Sequence, residues 1–214
     1  MNSKQIQVEE KVAHFYSALF HPLLMPTYGC AIILFTQNPA LLFFSNYLKF
    51  FVLGITFVFT FLLPTLNALI LLKMGRIKSL RMEHPSERSI PFFTTAIYYY
   101  SLFYLFNSID NFPSIFKLLI LGAGNSILLA FFINKTWKIS AHAIGLGGII
   151  AALIAVSNVF QINLVPIISI AIILAGIVSF SRLRLNAHTP AQVYSGFFLG
   201  FLVMSLHLIF LNFV

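Results

Sequence analysis

The chain has 214 residues, 59% of them hydrophobic and only 8% charged, with a mean hydropathy of +0.94. Such a composition excludes an ordinary soluble globular domain and points to an integral membrane protein. The formal net charge of +8 reads as orientation in the bilayer plus anion binding, and nucleic acid is not expected as a partner.

Residues 1–17, "MNSKQIQVEEKVAHFYS", are polar, mixed in charge and amphipathic. They lack the basic start, short apolar core and cleavage site of a secretory signal and read as mature protein. A bilayer core needs about 20 apolar residues per helix. Runs of that order lie at 18–36, 47–73, 91–107, 114–133, 141–160, 163–180 and 190–212. The third is short and the first carries Pro22 and Pro26, so the expectation is one domain, an all-α bundle of six to seven transmembrane helices. The period-2 alternation of a membrane barrel is absent. Lipid leaves backbone groups no partner but one another, so even the β-branched run "LIAVSNVF" is expected to be helical. Cys30, in an apolar run, reads as a small packing residue.

The loops "KMGRIKSLRMEHPSERSIP", "NKTWKIS" and "SRLRLNAH" are separated from one another by pairs of crossings and therefore emerge on one side. Of the 13 Lys and Arg, all but Lys49 and Lys117 fall on that face, which the positive-inside rule reads as cytoplasmic, in a plasma or bacterial inner membrane. Almost no polar residue is expected mid-span, which disfavours a transporter. Trp137, between Lys135 and Lys138, reads as an interfacial anchor. Gly145, Gly147, Gly148 and the Gly196/Gly200 pair fit close helix packing. His21 and His207 read as interfacial or hydrogen-bonded packing residues, His84 as a loop histidine, and Arg184 as part of a solvated basic loop.

Three short motifs occupy that face. Arg81 is followed by six residues, Arg88 and Ser89; Ile139-Ser140-Ala141-His142 follows; then come Ser181, Arg182, five residues, His188, three residues and Gln192. Across about residues 75–200 this order resembles the type 2 phosphatidic acid phosphatase family, membrane enzymes related in active site to vanadium haloperoxidases. That family has Lys-x6-Arg-Pro, Pro-Ser-Gly-His and Ser-Arg-x5-His-x3-Asp, so this chain departs at Arg81, Ser89, Ile139, Ala141 and Gln192. The resemblance implies hydrolysis of a lipid phosphomonoester or diphosphate through a phosphohistidine. His188 matches the nucleophile, His142 the acid for the leaving alkoxide, and Gln192 the residue that orients the nucleophile. Arg81, Arg88 and Arg182 match the phosphate-binding cations, with Ser140 completing the cradle.

Elementary chemistry suits those roles. Phosphoryl transfer asks a protein mainly to align a nucleophile and stabilise charge on the equatorial oxygens. Guanidinium groups keep their charge and engage two oxygens at once, and imidazoles serve as nucleophile and acid near neutral pH. Alternatively, Ser140 simply caps the helix after it, and "TPAQ" is a capping box that accounts for Thr189 and Gln192 without catalysis. Glu9, Glu10, Glu83, Glu87 and Asp110 are all the acids of the chain, too few near the motifs for a two-metal site, so neither catalytic metal nor cofactor is expected. The alternative function is a non-catalytic relative that binds anionic lipid or serves as a subunit of a membrane complex.

Overall fold

The computed structural model describes residues 3–36, 41, 44–80, 82 and 84–210. Among these there is no strand, and the chain is an all-α membrane protein with six helical stretches long and apolar enough to cross a bilayer. Helix α1 (Ser3–Leu19) leads through a 3-10 turn (Pro22–Leu24) into α2 (Met25–Phe35). Helix α3 (Asn46–Phe57) continues through a π-helical turn (Val58–Leu62) into α4 (Leu63–Lys73). Then come α5 (Pro85–Asn107), α6 (Ser114–Ile133), α7 (Ala141–Val159), α8 (Val165–Arg184) and α9 (Pro190–Leu208).

These helices follow the apolar runs, with three differences. First, the amphipathic N-terminus is itself helix α1, separated from α2 where His21 adopts an extended conformation and Pro22 opens the 3-10 turn. Along α1, Val8, Val12, Phe15 and Leu19 form an exposed apolar stripe, while Glu10, His14 and Ser17 line a cavity. Second, α5 starts at Pro85, ahead of its apolar run, because proline fits the first helical position, where no backbone N–H is needed. Its 23 residues are long enough to span, yet α5, with Glu87 and Arg88 in its first turns, is not among the six apolar stretches. Third, α8 extends to Arg184, so Arg182 belongs to its last turn and not to the following loop.

Helices α7 and α9 form the most intimate pair of the bundle. A Cβ on Gly147 would collide with the Phe197 carbonyl, and one on Gly200 with the Ile144 carbonyl. In lipid, where no hydrophobic force draws helices together, small residues of this kind allow backbone-to-backbone packing. The two N-termini consequently lie side by side, and the Ser140 N–H donates to the Gln192 carbonyl at 3.3 Å.

Polar side chains between the helices are more numerous than the sequence indicates. The Tyr100 hydroxyl donates to Asn125 Oδ1, Asn125 Nδ2 donates to His207 Nε2 at 2.7 Å, and His207 Nδ1 donates to the Val203 carbonyl at 2.8 Å. A carbonyl only accepts, so the direction of the whole chain is fixed. It ties α5, α6 and α9 together, and Thr94, Asn67 and Tyr98 link α4 to α5 in the same way.

Candidate functional site

The turn between α8 and α9 carries the first part of the site. Helix α8 ends in a Schellman motif: the Asn186 N–H donates to the Leu183 carbonyl at 2.9 Å and the Ala187 N–H to the Arg182 carbonyl at 3.1 Å. Asn186 sits at φ 49°, a left-handed position that asparagine tolerates. The reversal brings His188 back onto the cavity that Arg182 also lines. Thr189 then caps α9 in a capping box with Gln192, whose Oε1 accepts from the Thr189 N–H at 3.2 Å and meets His188 Nδ1 at 3.1 Å.

This double contact settles a protonation state. The Thr189 N–H can only donate, so the Gln192 atom it meets is oxygen, and the same oxygen must accept from His188 Nδ1–H. The neutral ring therefore keeps its lone pair on Nε2. Burial, reinforced by the charges of Arg88 and Arg182 and more weakly of Lys138, holds the His188 pKa down at about 3, with the Gln192 hydrogen bond opposing them. Capping and imidazole orientation are thus done by one oxygen.

His142 enters from the first turn of α7, where Ser140 is the N-cap. Its Nε2 lies 3.0 Å from the Ser17 carbonyl of α1, which makes Nε2 the protonated nitrogen of the neutral ring and leaves Nδ1 free of that contact. Ser140 is fully buried; its Oγ accepts from the Ala143 N–H at 3.5 Å, and it lines neither of the polar cavities described below. Arg88, near the start of α5, is buried; its Nε donates to the Met82 carbonyl at 2.8 Å and its Nη1 to the Ile139 carbonyl at 3.5 Å. Among the described residues no carboxylate pairs with Arg88 or Arg182, and the buried Arg182 Nε has no hydrogen-bond acceptor. Arg88 is buried and Arg182 half-buried, and two cations partly withdrawn from water favour an anion that compensates them.

Arg88, His142, Arg182 and His188 all line one cavity of about 150 Å³. It shares Arg88, His142 and Arg182 with a larger polar cavity of about 620 Å³, within the size range of ligand sites. Of the residues expected from sequence, these four converge, Gln192 supports His188 from behind, and Ser140 joins α7 to α9. Arg81 lies outside the described residues. Lys138 also lines the larger cavity, and one contributor was not anticipated, His21, which lines both. The only sequence signal for His21 is that it precedes a proline at a helix break. Arg184, on the rim, pairs with Glu9 of α1 at 2.9 Å.

Among the described residues no group of three or more His, Cys, Asp or Glu is placed to hold a metal ion. The side chains instead present cationic and imidazole donors, which suit a tetrahedral oxyanion. Comparison with protein-family models, curated proteins and solved structures finds no match for this chain.

Proposed function

We propose that this protein is a membrane lipid phosphatase, a divergent relative of the type 2 phosphatidic acid phosphatases, hydrolysing a lipid phosphomonoester or diphosphate without a metal. The observation that carries the reading is the convergence of His142, His188, Arg88 and Arg182 on one cavity. That cavity also shares Pro22, Ile127 and Ala141 with an apolar cavity of about 50 Å³ inside the bundle. A polar head group and a hydrocarbon tail would thus find adjoining surroundings.

In the proposed reaction the guanidinium groups hold the phosphoryl oxygens, and the His188 Nε2 lone pair attacks phosphorus as the ester P–O bond breaks. The leaving alkoxide takes a proton from His142 in its imidazolium form, through Nδ1, the nitrogen not committed to Ser17, and the ring is left neutral with its proton on Nε2. Water, giving a proton back to His142, then cleaves the P–N bond and releases phosphate. Gln192 orients the nucleophile but, being neutral, stabilises the charged ring less than a carboxylate would. In this reading the site faces the cytoplasm, which the bias of Lys and Arg toward the motif loops supports.

A second reading, a non-catalytic anionic-lipid-binding protein or subunit of a membrane complex, is favoured by Gln192 standing where the family has a carboxylate. Phosphate release from phosphatidic acid, phosphatidylglycerol phosphate and a polyprenyl diphosphate by the purified protein in detergent separates the two. Release by the wild type and not by His188→Ala is expected; equal release by both refutes the phosphatase reading. No release from any of them, with the lipids still bound, favours the second.

A further inference from the structure

His21 stands at the break between α1 and α2, outside all three motifs, yet it lines both polar cavities. Its ring is held from two sides: edge-to-face against His142 with centroids 5.9 Å apart, and edge-to-face against Phe61 at 6.3 Å. A third constraint is the cap of the 3-10 turn, where Nδ1 accepts the Leu23 N–H at 3.3 Å. A backbone N–H can only donate, so Nδ1 bears the lone pair and the neutral ring carries its proton on Nε2. Among the described residues that Nε2–H donates to no protein acceptor. Arg182 lines both cavities beside His21 and His142, and His188 joins these three in the smaller one.

We propose that His21 is a third imidazole of the anion site, a binding residue that donates Nε2–H to an oxygen of the bound phosphoryl group. The inference rests on the reading of the cavity as a phosphate site and extends it to the helix α1–α2 junction. Fixed tautomer and fixed ring mean that the donor is aimed before the anion arrives, so little ordering cost accompanies the bond. Helix α1 then supplies more than an exposed apolar stripe: Glu10, His14 and Ser17 line the same cavity as His21.

The test is inorganic phosphate binding to the full-length protein in detergent, by titration calorimetry, alongside thermal unfolding. His21→Asn keeps a side-chain acceptor for the Leu23 N–H, since asparagine is a strong N-cap, while removing the ring donor. The expected result is an unfolding temperature near that of the wild type and phosphate binding weakened about tenfold, the scale of one hydrogen bond to a charged group. Binding as tight as that of the wild type overturns the inference, even where Arg182→Ala weakens binding and so leaves the phosphate site standing. A wild type that binds no phosphate overturns both. A second measurement needs no variant: phosphate is expected to slow carbethoxylation of His21 in the unaltered protein, read by peptide mass spectrometry, and an unchanged rate refutes its contact with the anion.

Discussion

At the scale of single residues, the account turns on one glutamine oxygen. Gln192 Oε1 takes hydrogen bonds from both Thr189 N–H and His188 Nδ1, which leaves the His188 Nε2 lone pair for chemistry. With its pKa lowered to about 3, His188 stays neutral in the folded protein where an unfolded chain would protonate it. The unfolded state then binds more protons, so this stability is fully present above about pH 6.5, the ordinary histidine value, and is lost as pH falls from there toward the folded value. Thermal unfolding followed from pH 7 to 4 is expected to show a steeper acid loss for the wild type than for His188→Gln; parallel curves would contradict the assignment. Gln192→Glu, nearly isosteric, adds the charge that the family carboxylate supplies. In a comparable triad the reverse exchange costs about 10⁴ in kcat, so a rise in phosphate release of at least about tenfold is expected, and no rise would show that charge at this position is unimportant. The His188–Gln192 contact was legible because four-residue spacing at a helix start is local geometry. His21 was not, because its partners His142 and Phe61 lie far away in sequence and only packing brings them together.

At the scale of elements, the site depends on how closely α7 approaches α9. Gly147 and Gly200 let backbone meet side by side, and the Ser140–Gln192 backbone bond shows that the two motif-bearing N-termini are joined by this packing. Overpacked cores typically lose about 1–3 kcal/mol. Gly200→Val is therefore expected to lower the unfolding temperature and also weaken phosphate binding, by moving His142 away from His188; a loss of stability with undiminished binding would uncouple the packing from the site. The bundle itself was legible, since bilayer thickness sets run length and lipid forces helicity whatever the local propensity. The start of α5 was not, because an apolar run says nothing about the polar turn ahead of it. Nor was the Tyr100–Asn125–His207 chain, whose members sit on three different helices and reveal their pairing only once those helices pack.

At the scale of the whole molecule, Arg88, Lys138, Arg182 and Arg184 line one cavity, a cationic pocket that suits the head group of the proposed lipid substrate. The positive-inside rule predicts a cytoplasmic site from the charge bias of the loops. A single cysteine introduced as Ser79→Cys, with Cys30 buried and so a poor background target, is expected to resist a membrane-impermeant maleimide in intact cells and to react after permeabilisation. Labelling in intact cells would put the site on the outer face and change the set of accessible lipid phosphates. The most direct test of the central claim is to quench the purified protein during incubation with a lipid phosphate labelled in its phosphoryl group and locate the label by peptide mapping. The expected result is an acid-labile, base-stable phosphoryl group on His188, absent from His188→Ala. Label on another residue, or none while free phosphate accumulates, would contradict the proposal that this imidazole is the nucleophile of the site.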